Sequence, residues 1–178
     1  MQKRIALLAS LVLTLATLAS AQMEKSKRPS PPASAECKLP DGKTVKTDYS
    51  SPRMKGRKIY GGLVPYGEVW RTGANEATTF VTDADLTIGG KEVPAGSYTM
   101  FTVPTESSWT LIINKKTGEW GIPYKYESDE LVRVPMKVST LPSPVEDFTI
   151  SYKPSHGGCM LHLDWATTRA SVEISEKK

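Results

Sequence analysis

The residues best equipped for chemistry in this chain lie within Tyr60–Ala77, which reads Y-G-G-L-V-P-Y-G-E-V-W-R-T-G-A-N-E-A. Arg71 can offer a planar fork of donors to a carboxylate, and Asn75 and Glu76 are its polar partners in this run. Tyr66 and Trp70 bring aromatic area, while glycines and Pro65 hold an irregular backbone. The set suits binding an anion or a polyhydroxylated molecule at a cleft wall. It equally describes a compact loop pinned by Trp70, in which Arg71 and Glu76 satisfy each other.

Three further groups invite chemistry. Trp120, Tyr124 and Tyr126 fall in a Gly/Pro-containing connection, where flat side chains either stack on a ligand or cap the end of a fold. His156, Cys159 and His162 are metal-ligand types, but strand alternation would turn Cys159 and His162 to opposite faces. No metal and no cofactor is therefore expected. His162 and Asp164 share a face and form either an acid–base pair or a structural one. Nucleophilic catalysis has no G-x-S-x-G elbow to rest on. The carboxylates Glu68, Glu76, Asp83 and Asp85 carry no spacing diagnostic of glycoside hydrolysis, and no glycine-rich phosphate loop precedes a helix.

The elements that must position these groups are strands. From Cys37 onward, apolar residues alternate with period two between Gly and Pro punctuation, and sustained helical periodicity is absent. Val45, Thr47 and Tyr49 share one face. Phe80, Ala84, Leu86 and Ile88 share another in what reads as one long strand, followed by a Gly89-Gly90 hairpin. Strands follow at Ser97–Val103, at Trp109–Ile113, at Val132–Ser139, at Phe148–Lys153, at Cys159–Trp165 and at Ala170–Ile174, with at most a short helical turn in Lys125–Glu130. The expected fold is an all-β antiparallel sandwich of about 8–10 strands, with a partly closed barrel as the alternative.

The ends of the chain set its address. Lys3 and Arg4, the apolar run Ile5–Leu18 and the small residues Ala19-Ser20-Ala21 have the layout of a signal peptide over residues 1–21. Without Lys3 and Arg4, 21 basic groups face 19 acidic ones, too even a balance for nucleic-acid binding. Residues 22–36, rich in Lys, Ser, Pro and Ala, read as a disordered tether. Residues 37–176 then form a single domain. Cys37 and Cys159, an even pair in an oxidising compartment, are expected to form a disulfide. No transmembrane segment is expected in the mature chain.

Several motifs resemble an uncharacterised family of secreted bacterial β-proteins, a domain of unknown function. They are the Tyr60–Glu76 run, Tyr49–Arg57, Val93–Tyr98, Trp109–Asn114, Trp120-Gly121 with Tyr124, Asp129–Arg133 and Leu163–Trp165. The resemblance spans Cys37 to Ile174. It implies secretion and a β fold, and it brings no activity, substrate, cofactor or catalytic residue. The function expected is a non-catalytic module binding a small-molecule, saccharide or envelope ligand. The alternatives are a hydrolase using Glu76, His162 and Asp164, a metal-handling protein, or a purely structural envelope component.

Overall fold

A computed structural model describes residues 25–177. The expected leader, and the start of the expected tether, lie outside the described residues. In chain order the strands are β1 (Pro32–Lys38), β2 (Thr44–Ser50), β3 (Thr78–Thr82), β4 (Leu86–Ile88), β5 (Lys91–Val93), β6 (Gly96–Pro104), β7 (Trp109–Asn114), β8 (Glu130–Ser155) and β9 (Gly158–Glu176). One 3-10 turn, Glu127–Asp129, precedes β8.

All neighbours are antiparallel, in the order β1-β2-β3-β6-β7-β8-β9-β4-β5. The sheet does not close, because its end strands β1 and β5 are not paired with each other. It folds over instead. The first residues of β8 pair with β7 and the rest with β9, and register shifts between Thr140 and Thr149 mark the bend. Opposite that bend, Ala166 in β9 takes a positive φ of 51°. These irregularities let long strands change direction and serve both layers of a sandwich. The layers meet where β1 packs against β8 and β9, and Cys37 is bonded to Cys159 there. That bond closes a span of 122 residues, worth up to about 5 kcal/mol on the chain-entropy account.

Alternation places the main core. Val45, Thr47 and Tyr49 of β2 are buried, as are Leu86 and Ile88 of β4 and Leu161, Leu163 and Trp165 of β9. A smaller cluster forms on the other face of β6 and β7. There Ala77, Phe101 and Ile112 are covered by Tyr124 and Tyr126. β7 is thus apolar on both sides, which explains its run Leu111-Ile112-Ile113.

Three expectations need correction. The tether expected over 22–36 ends early, because β1 begins at Pro32 and pairs with β2 along its length. Ala33 and Ala35 turn toward the core with Cys37; their small side chains hide the alternation, and Pro32 is tolerated at the start of an edge strand. The single strand expected through Phe80 and Ile88 is two. At Ala84 the chain changes partners, and Thr82 Oγ1 donates to the Ala84 carbonyl at 2.8 Å while accepting from its N–H at 3.2 Å. Conversely, the four strands expected after Glu130 are only two, β8 and β9. The Gly89-Gly90 hairpin has φ of 51° and 83°, the paired positive angles that a two-residue turn of matching twist requires.

Candidate functional site

Between β2 and β3 the chain forms no regular strand, and Trp70 organises it. The Trp70 N–H donates to the Thr102 carbonyl at 2.7 Å and the Thr102 N–H donates back at 2.9 Å, fastening the loop to β6. The indole is buried and stacks on Trp165, with centroids 5.9 Å apart and planes at 18°. Phe148, Tyr60 and Trp109 meet it edge-on. Its Nε1–H donates to the Gly73 carbonyl at 3.0 Å, so burial leaves no donor orphaned. Trp70 is therefore a core residue whose edge also lines a cleft.

Past Trp70 the backbone twists the polar residues apart. Thr72 and Asn75 have φ of 54° and 57°, rare for Asn and an outlier for a β-branched residue. Thr72 is fully buried, with its hydroxyl 3.1 Å from that of Thr102 and its carbonyl accepting from Thr78 Oγ1 at 2.7 Å. These contacts hold a conformation that the side chain alone would avoid.

The consequence separates the expected trio. Asn75 Nδ2 donates to the Ser30 carbonyl at 3.1 Å. Arg28 Nη1 reaches both Glu76 carboxylate oxygens, at 3.0 and 2.8 Å, and Lys25 lies 3.8 Å away. A hydrogen bond from its own backbone N–H, then Arg28, hold the Glu76 carboxyl below its ordinary range. Glu76 faces a hollow of about 170 Å³ shared with Lys25, Arg28 and Asp48. Arg71 does not line that hollow.

Arg71 stands differently. Its carbonyl accepts from the Thr78 N–H at 3.3 Å, but its side chain has no hydrogen bond or ion pair among the described residues, and its Nε is buried without a partner. Its guanidinium carbon lies 5.2 Å from the Trp120 ring centre. Burial lowers its pKa, partly offset by the more distant Glu76 charge, yet an arginine so placed keeps its charge. Gly121 makes the approach possible: a Cβ there would come within 3.2 Å of Arg71 Cβ and 2.9 Å of Ala77 Cβ, and its φ is 88°.

Arg71 lines a recess of about 240 Å³ with Trp70, Trp165, Leu63, Val64 and Ile122; Arg57 and Ser30 also border it. A second recess of about 230 Å³ shares Leu63, Val64, Trp70 and Ile122, and adds Pro65, Glu68 and Val69. Leu63 and Ile122 are 46% and 45% exposed at the shared rim. Sequence reasoning overlooked both, although each is a bulky apolar residue set between Gly and Pro in a loop with no alternation. Trp165 was legible as a strand residue only.

The remaining candidates scatter. Tyr66 is partly exposed in a separate hollow with Tyr60, Arg57 and Lys58. Trp120 is 54% exposed over Arg71. Tyr124 belongs to the outer cluster, edge-on to Phe101; its hydroxyl donates to Glu130 Oε1 at 2.6 Å and accepts from Asn114 Nδ2 at 3.2 Å. Burial, then the Glu130 bond, push that hydroxyl's pKa up.

His162 and Asp164 are not bonded to each other. Asp164 is buried and its two oxygens accept from Arg169 at 2.7 and 2.5 Å. His162 Nδ1 is buried without a partner, and burial lowers the imidazole pKa ahead of the repulsion from Arg169. Glu76 shares no partner with either. Cys159 is committed to Cys37. Among the described residues, no group of three or more His, Cys, Asp or Glu side chains is placed to hold a metal ion. No described helix is long and apolar enough to cross a membrane.

A family model described as "Protein of unknown function (DUF2911)" matches residues 30–174. The chain belongs to the DUF2911 family. The matched span runs from Ser30, whose carbonyl holds Asn75, to Ile174 in β9, and so contains both recesses of this DUF2911 protein. No match was found among curated proteins or among solved structures.

Proposed function

We propose that this DUF2911 protein is an exported, non-catalytic ligand-binding module, and that its ligand enters the recess at Arg71. One observation carries the reading. A part-buried guanidinium lies against Trp120, lines a recess with an apolar rim, and has no carboxylate partner among the described residues. Stability alone gives little reason to keep such a group, because a buried donor without a partner costs about 1–3 kcal/mol. Export is supported by the leader-like composition of residues 1–21 and by the Cys37–Cys159 disulfide, a bond that persists in oxidising compartments.

The hydrolase alternative loses its motivation, since Glu76 is held by Arg28 and Asp164 by Arg169. The binding reading is tested by calorimetry and thermal shift of the disulfide-bonded protein against carboxylates, peptides, cell-wall fragments and oligosaccharides. At least one class should bind, with affinity lost in Arg71→Ala. A silent panel, or binding indifferent to Arg71, would overturn it.

A further inference from the structure

We infer that the ligand is an amphipathic monocarboxylate: an anionic head on Arg71 and an unbranched apolar body lying under Leu63 and Ile122. This rests on the binding reading just given and adds the chemical class.

Size comes first. Small-ligand sites usually enclose roughly 300–1,000 Å³. The Arg71 recess, about 240 Å³, and its neighbour, about 230 Å³, each fall short alone. They share four lining residues, Leu63, Val64, Trp70 and Ile122, and so adjoin at one rim, which the inferred ligand spans. Such a ligand has two parts, because the recesses differ in chemistry.

The first recess carries the positive charge, with Arg71, unpaired among the described residues, and Arg57 both lining it. Arg57 already donates through Nε to the Met54 carbonyl and through Nη2 to the Arg53 carbonyl, so Arg71 is the side chain left to bind an anion. Trp120 covers one side of the guanidinium, which reduces competition from water and strengthens a charge-assisted bond. The second recess has Val64, Pro65, Val69 and Leu63 as walls and offers hydrocarbon contact. A sugar would leave most of its hydroxyls without partners there.

Glu68 lines that second recess. A second carboxylate at the far end of the ligand would meet its charge, so the site discriminates against dicarboxylates.

The test is calorimetry on the disulfide-bonded protein with octanoate, octanamide and octanedioate, read in parallel by intrinsic tryptophan fluorescence, to which Trp70, Trp120 and Trp165 at the recess contribute. Octanoate should bind about 10- to 100-fold more tightly than octanamide, the span expected of one charge-assisted hydrogen bond, and more tightly than octanedioate. Arg71→Gln should erase the preference for acid over amide while leaving the amide's weak binding in place. Leu63→Asp, at a position 46% exposed, should weaken octanoate more than octanamide. Equal affinity for acid and amide, a preference for octanedioate, or no octanoate binding at millimolar concentration would each overturn the inference. If octanoate fails while a peptide or saccharide binds in an Arg71-dependent way, the ligand class is wrong and the binding module stands. If every ligand fails, both readings fall.

Discussion

Arg169 and Arg71 are two part-buried guanidinium groups that the fold treats in opposite ways. In β9 the positive φ of Ala166 bends the strand between Asp164 and Arg169, and the fork closes on the carboxylate at 2.7 and 2.5 Å. Beside Trp70 the positive φ values of Thr72 and Asn75 do the reverse. They turn Glu76 toward Arg28 and leave Arg71 against Trp120. Similar local devices therefore build a scaffold pair in one place and an uncommitted charge in the other. A buried charge with its partner holds structure together; one without a partner is available to a ligand.

The comparison can be broken first at its shared wall. Trp70 and Trp165 stack between the two regions, and Trp70→Ala should cost about 3–5 kcal/mol in urea unfolding. A loss under about 1 kcal/mol would mean that the loop is not pinned by its indole. Next comes the paired side. Asp164→Ala should destabilise by about 2 kcal/mol, less than for a wholly buried pair because Arg169 is 27% exposed. The double variant Asp164→Leu with Arg169→Leu should recover part of that loss.

A smaller effect should appear with pH. Burial depresses the folded pKa of His162 below 6.5, with Arg169 and Lys153 adding repulsion and Asp164 opposing. The unfolded chain then binds more protons near and below pH 6.5, so stability should decline as pH falls from 7 toward 5. His162→Gln should flatten that decline in thermal melts. The carboxylates Glu76 and Glu130 are lowered from 4.5, Glu130 chiefly by Arg133; their contribution should persist through this window and be lost only under more acid conditions. The smallest effect sharpens the contrast most. Arg71→Gln should change stability by no more than about 0.5 kcal/mol, or raise it by removing an orphaned donor. A loss as large as that of Asp164→Ala would make Arg71 scaffold.

Much of the fold was legible because strands announce themselves locally. Val45, Thr47 and Tyr49 alternate, Gly89-Gly90 marks its own turn, and a lone pair of cysteines has one way to join. The misreadings share a cause. Ala33 and Ala35 are too small to show alternation, and Thr82–Ala84 keeps an unbroken pattern while its pairing changes from β2 and β6 to β5 and β9. Pattern reports which face is buried; it carries no record of the neighbour.

The candidate site was half visible. Trp70 and Arg71 stood out by residue type, whereas Leu63 and Ile122 gained meaning only when two distant loops met at one rim. Composition and alternation by themselves determined a disulfide-bonded antiparallel β protein, because side-chain period and cysteine number are local properties. Which charge pairs with Glu76 was decided by the tertiary structure alone. Arg28 took Glu76 across 48 residues of chain, and a partner at that distance is chosen by how the sheet folds over.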